Sequence, residues 1–279
     1  MGLSSNILWH QTTEEGFCEI LKSKNLLYSY SLERIVPVKG MKPIAFPMIS
    51  VSDYPIAEIS NNDWQYGYFC IGYRQEWGIK VGFSPVWYCS IGSHSLRLLY
   101  NLLDDAIKKE SQGYIGVIMS LFANMKLNQA PLQTKNQKFG KYRFYDEHEW
   151  RVVPYITDTD KAEVMPFLTE QGYTEYKENH NGNSLLDFGI GFDYEDIHYI
   201  IVEKESDVQK TRDIVGDRIH IFTKEEIMED VVGVDHHDEI LPSQFEQDYE
   251  ATQRHLARIS EMAHEHFEKK FGAKAKKNE

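Results

Sequence analysis

Ile7-Leu8-Trp9-His10-Gln11-Thr12-Thr13-Glu14-Glu15-Gly16-Phe17-Cys18-Glu19-Ile20-Leu21 reads as a strand running straight into a helix. Ile7, Leu8 and Trp9 form a short apolar run, predicted here as the first strand. Thr12, with Glu15 three residues later, has the spacing of a capping box. In that motif the threonine oxygen accepts an orphan helix N–H and the glutamate returns a bond to the cap. Phe17, Ile20 and Leu21 then recur at helical spacing, which predicts a helix over about 13–23.

Further along, strands are expected at 26–30, 46–51, 66–73, 86–90, 143–153, 198–202 and 219–222. A helix over 93–112 has Leu96, Leu99, Leu103 and Ile107 on one face, with Ser95 as its cap and Gly113 as its end. Residues 114–125 are apolar throughout and are read as a buried helix, and 128–138 as an exposed loop. Thr223-Lys224-Glu225-Glu226 makes a second capping box. The stripe Phe245, Tyr249, Leu256, Ile259, Ala263 and Phe267 predicts a long amphipathic helix over 244–271. Strands and helices are not regularly interleaved, so the fold class is α+β and not a doubly wound parallel sheet. The expected organisation is one domain over 1–242, followed over 243–279 by the amphipathic helix and a basic tail.

The charge is lopsided. The whole chain of 279 residues carries −13, yet residues 1–150 hold 15 Lys+Arg against 14 Asp+Glu, while 151–279 hold 15 against 29. An acidic half repels nucleic acid and favours a basic protein partner. Three cysteines, Cys18, Cys70 and Cys89, are an odd number without a CxxC, and are expected to be core thiols in a reducing cytoplasm. No signal peptide and no run near the ~20 apolar residues of a membrane span is visible. GxGxxG, GxxxxGK[ST] and HExxH are absent, so no metal is expected; Asp235-His236-His237-Asp238 is a weak exception.

Four segments carry the chemistry. They are Leu8-Trp9-His10-Gln11-Thr12 with Leu26-Leu27-Tyr28-Ser29-Tyr30; Pro47-Met48-Ile49-Ser50-Val51-Ser52-Asp53-Tyr54-Pro55; Tyr66 through Lys80; and Tyr145-Asp146-Glu147-His148-Glu149-Trp150-Arg151-Val152-Val153-Pro154. In that order and spacing they resemble the AbiGi family of bacterial phage-defence proteins. This chain has Ser52-Asp53 where the family pattern has Cys-Asp. It has His148 and only Arg151 where the pattern has two arginines. The arrangement is also similar to the His–Tyr–Glu type of ADP-ribosyltransferase, which implies a mixed β-sheet core with flanking helices.

That second resemblance implies NAD as substrate, with Glu149 as the catalytic carboxylate. His10, Thr12, Tyr28, Tyr30, Ser50 and Tyr68 would be the NAD-binding residues, and Tyr54 also competes as the stacking tyrosine. The chemistry is coherent: a carboxylate against a ribose stabilises the cationic transition state of glycosidic cleavage more than the ground state. Each residue has a plainer reading. Thr12 can be a helix cap, His10 a hydrogen-bonded core histidine, and Glu149 part of an ion-paired sheet face with Glu147 and Arg151.

The resemblances lead to an expectation of a cytoplasmic, NAD-dependent ADP-ribosyltransferase toxin in an abortive-infection toxin–antitoxin system. A cognate antitoxin or chaperone would dock on the acidic half. Lys126, Lys135, Lys138, Lys141 and Arg143 would favour a nucleic-acid acceptor, RNA first. The competing expectation is a non-catalytic antitoxin that neutralises a toxin through its acidic half.

Overall fold

The computed structural model describes residues 6–33, 43–59, 67–133, 138–154 and 164–229. In chain order the elements are β1 (Ile7–Thr12), α1 (Glu14–Ser23), β2 (Asn25–Glu33), β3 (Ile44–Ser52), α2 (Ile56–Ile59), β4 (Phe69–Arg74), α3 (Gln75–Val81), β5 (Ser84–Pro85), β6 (Trp87–Cys89), α4 (His94–Lys108) and α5 (Gln112–Ala123). They continue with β7 (Met125–Leu127), β8 (Ala130–Gln133), β9 (Lys138–Tyr142), β10 (Glu149–Val152), β11 (Leu168–Thr169), α6 (Glu170–Asn179), β12 (Leu185–Gly191), β13 (Ile197–Val202), α7 (Glu205–Val215), β14 (His220–Thr223) and α8 (Lys224–Glu229).

The architecture is mixed α+β. The main sheet runs β12-β2-β3-β1-β4-β13-β14, with β10 and β11 also on β3 and β5 on β10. Its ladders are antiparallel except β13–β14, a parallel pair joined through α7. The expected C-terminal unit over 243–279 lies outside the described residues, as does the Asp235–Asp238 cluster.

β3 is shared between two half-sheets. Its first half pairs with β2, from Ser29 opposite Met48 to Glu33 opposite Ile44. Its second half pairs with β10, from Glu149 opposite Ser52 to Val152 opposite Ile49. β1 meets β3 at one bridge, Trp9 to Ser52. From there β1 follows β4 as far as Thr12, while the start of β2 follows β12. The strands therefore part, and the seam becomes a cleft.

Three apolar clusters hold this split sheet. One gathers Leu8, Phe17, Leu21, Leu26, Tyr28, Ile71, Tyr73, Trp77 and Val208 on the side of α1, α3 and α7. A second packs α4 and α5 on Phe46 and Met48. A third joins Ile7, Trp9, Ile59, Cys70, Ile201 and Ile227. Truncating a fully buried member such as Leu8 or Leu21 costs about 2–5 kcal/mol.

Several boundaries differ from the sequence expectation for local reasons. Thr13, not Thr12, caps α1, its side chain accepting from Gly16 N. Ser93 likewise replaces Ser95 as the cap of α4. Residues 143–153 are not one strand: Phe144–Glu147 is a 3-10 turn, closed by His148 in a left-handed conformation (φ 43), and β10 begins only at Glu149. Within the expected loop over 128–138, Ala130–Gln133 forms β8, which pairs antiparallel with β9 (Lys138–Tyr142). The capping box at Thr223 forms in both directions: Glu226 N donates to Thr223 Oγ1 at 3.2 Å, and Thr223 N to Glu226 Oε2 at 2.7 Å.

Candidate functional site

A cleft of about 520 Å³ opens at the seam between the half-sheets. Directly opposed residues of an antiparallel pair share a face, and side chains alternate along each strand. The register therefore puts Ser29, Ser31 and Glu33 of β2, Ser50 and Ser52 of β3, and Glu149 and Arg151 of β10 on one face. Small serines at four of these places leave room above the backbone. His10 and Thr12 reach the cleft from β1, and Tyr54, Lys126, Tyr142 and Glu147 complete its far wall.

The floor is a paired ionic cluster. Arg151 Nε and Nη2 grip Glu149 Oε1 and Oε2 at 2.6 and 2.9 Å. Arg151 Nη2 also meets Glu33 Oε1 at 2.7 Å, and Nη1 donates to the Ala123 carbonyl at 2.9 Å. That carbonyl belongs to the last residue of α5, an orphan acceptor at the negative end of a helix dipole. Lys126 Nζ is shared between Glu147 Oε2 at 2.5 Å and Glu149 Oε2 at 3.0 Å. The backbone fixes the strand bearing this cluster, with Glu149 N donating to the Tyr88 hydroxyl and Val86 N to the Glu149 carbonyl, each at 2.9 Å.

These pairings set the charge states. Burial alone would raise the Glu149 carboxyl, but Arg151 and Lys126 outweigh it and hold the group at about 2. Burial would likewise discharge Lys126; Glu149, Glu33 and Glu147 reverse that and keep it charged. Glu147 is pushed up by burial, and Lys126, already engaged with Glu149, counters this only in part.

Among the expected site residues, His10, Thr12, Ser50 and Glu149 line the cleft. His10 Nδ1 lies 3.2 Å from the Ser50 carbonyl. A carbonyl can only accept, so Nδ1 carries a proton and donates to it. Burial lowers its pKa, with the Ser50 bond opposing the shift. Because Thr13 serves as the cap, Thr12 is left facing the cleft. The Ser50 hydroxyl also favours the charged form of the Glu149 carboxylate.

The tyrosines fall elsewhere. Tyr28 and Tyr30, alternating with Ser29, are buried in the core on the other face. Tyr28 sits 5.1 Å from Phe188, and Tyr30 donates its hydroxyl to the Met165 carbonyl at 2.8 Å. Tyr68 stands outside the cleft, under Lys224 Nζ at 3.7 Å from the ring centroid. Tyr54 is the expected candidate that does line it.

Of the five basic residues proposed from sequence, the side chains of Lys126 and Arg143 are described, and both are paired with acids. Lys126 is buried in the cluster, and Arg143 pairs with Asp146 at 3.3 Å. Lys135 lies outside the described residues. Among the described residues no group of three His, Cys, Asp or Glu side chains could hold a metal ion. No helix among them is long and apolar enough to cross a membrane.

Fold and cleft together define a mixed α+β protein whose acidic cleft rests on a saturated ionic cluster. Residues 19–203 match the family model described as "abortive phage resistance protein AbiGi, antitoxin", and the chain belongs to the AbiGi family. It is similar to the abortive phage resistance protein AbiGi of Lactococcus lactis subsp. cremoris, 28% identical over 194 residues, covering 58% of this chain and 74% of the relative. No solved structure matches the chain.

The expectation of an ADP-ribosylating toxin is corrected by these findings. The family is described as an antitoxin, not as an enzyme. The matched segment begins at Glu19, beyond His10 and Thr12. Glu149 is already paired: its carboxylate oxygens are held by Arg151 and Lys126.

Sequence reasoning missed Glu33, and missed Lys126 as a partner of the glutamates. The signal for Glu33 was present in Ser29-x-Ser31-x-Glu33, polar residues at every second place, the first of them between buried Tyr28 and Tyr30. Lys126 carried none, because its contact with Glu147 spans 21 residues and depends on how β7 is placed.

Proposed function

We propose that this chain is the antitoxin of an abortive-infection phage-defence system, a non-catalytic protein that binds and neutralises a cognate toxin. The observation that carries this reading is membership of the AbiGi family, described as an antitoxin, across residues 19–203. Charge supports it and suggests where the partner docks. Residues 164–229 hold 15 acidic against six basic side chains. Glu203, Glu205, Asp213 and Asp217, on and around α7, are exposed. A surface of this kind steers a basic partner and repels nucleic acid.

The test is co-expression with the gene product encoded beside it. The wild-type chain restores growth to cells making that product and co-purifies with it. Glu203→Lys, Glu205→Lys and Asp213→Lys together abolish both at unchanged melting temperature. A chain that poisons cells by itself, or that neither protects nor co-purifies, overturns the reading.

A further inference from the structure

The cleft carries more negative charge than its own cations balance. Glu19, Glu33, Glu147 and Glu149 line it, against Lys126, whose ammonium is divided between Glu147 and Glu149. Arg151 lies behind the wall and is spent on Glu149 and Glu33. Such a lining suits an incoming cation better than a phosphate. Aromatic faces accompany the acids: Tyr54 and Tyr142 line the cleft, with His148 5.4 Å from the Tyr54 ring and Tyr145 beyond it.

Carboxylates beside aromatic faces match a guanidinium better than an ammonium. The planar fork takes a carboxylate at two points and stacks on a ring, whereas an ammonium is a compact, strongly hydrated charge. Arg151, behind that wall, displays the carboxylate part of this fit, holding Glu149 at two points and Glu33 at a third. Volume and donors point to a peptide and not a lone cation. About 520 Å³ falls in the ordinary range of ligand sites, roughly 300–1,000 Å³. Gln11, also lining the cleft, has a buried amide nitrogen with no acceptor among the described residues, a donor for a main-chain carbonyl.

We infer that the cleft receives an arginine side chain from a basic segment of the toxin, with Glu147 and Tyr54 as its contacts. The inference rests on the antitoxin reading for the source of the arginine, and on the cleft alone for its chemistry.

The test uses the full chain and two fluorescein-labelled peptides of equal charge, one with three arginines separated by glycines and one with three lysines. Fluorescence anisotropy is expected to show the arginine peptide binding at least about fivefold tighter than its lysine twin. Glu147→Gln and Tyr54→Leu each weaken the arginine peptide by at least about fivefold, while Asp105→Asn on α4 leaves it unchanged. Equal binding of the twins, no binding, or binding indifferent to Glu147→Gln overturns the inference. Should Tyr54→Leu melt early, Glu147→Gln decides, since that side chain is a quarter exposed. Toxin capture separates the two readings. A wild-type chain that captures toxin without selecting arginine sinks the cleft alone. One that selects arginine but captures no toxin sinks the antitoxin reading alone.

Discussion

Arg151 and Glu149 stand two residues apart on one strand and are joined side-on, Nε to Oε1 at 2.6 Å and Nη2 to Oε2 at 2.9 Å. In an extended strand such residues share a face, so the pair forms with no tertiary adjustment. Arg151 is 1% exposed, and the pair also ties β10 to β2 through Glu33 and to the end of α5 through Ala123.

Arg151→Ala is therefore expected to be among the most destabilising single changes in the chain. It deprives the buried Glu149, the half-buried Glu33 and a helix-end carbonyl of their shared partner. Breaking a buried pair from one side costs about 3–5 kcal/mol. Glu33→Gln, which removes one contact of several, costs about 1–2 kcal/mol. Urea unfolding of the two variants measures both, and an Arg151→Ala loss smaller than that of Glu33→Gln contradicts the ranking.

Stability falls with acid in two windows. His10 has a folded pKa below its ordinary 6.5, so its neutral, buried form contributes stability above 6.5 that is lost as pH drops through the folded value. Glu149 is held at about 2 against an ordinary 4.5, so its contribution is complete above 4.5 and disappears between 4.5 and 2. Glu147, raised above 4.5, has the opposite sign and favours the fold at low pH. Melting temperature against pH checks this. His10→Gln is expected to flatten the slope just below 6.5 while keeping the steeper fall below 4.5.

How far the sequence disclosed the molecule depends on the range of the interaction. Elements defined by local signals were legible: the strand at Ile7, the helix at Phe17, the capping box at Thr223, and the helix expected over 114–125, which ends at Ala123 and leaves Tyr114 and Val117 exposed. The polar helix α6 was not, because Tyr173 and Tyr176 pack against the core without a regular apolar stripe. The convergence of His10, Ser50 and Glu149 on one cleft followed their order along the chain. Their meaning did not, because the pairing of Glu149 depends on Lys126 and Glu33, placed by β7 and β2. A lone glutamate on a strand looks the same whether it awaits a ligand or is already neutralised.

Gly67 guards the Thr12 end of the cleft. Its φ is +120°, and a Cβ there would fall 2.2 Å from the Thr12 carbonyl oxygen, an atom of the main chain that cannot swing away. Gly67→Ala thus combines backbone strain with a clash and is expected to cost about 1–3 kcal/mol. Gly92→Ala, with open space around it, is the control. Equal melting temperatures for the two variants contradict the prediction.

Association with the toxin is expected to separate into a salt-dependent approach and a salt-tolerant lock. Charges on and around α7 are solvent-exposed, and such charges act over a Debye length of ~10 Å at 0.1 M salt and ~3 Å at 1 M. They steer encounter, so raising salt from ~50 mM to ~500 mM lowers the association rate by about tenfold or more. Glu147 sits inside the cleft, where a desolvated contact controls how long the partner stays. Glu147→Gln is therefore expected to speed dissociation about fivefold while leaving the association rate nearly unchanged, and reversing Glu205 does the opposite. Surface plasmon resonance on the full chain resolves both rates. An association rate indifferent to salt removes α7 from the docking face, and a Glu147→Gln effect confined to association moves the arginine out of the cleft.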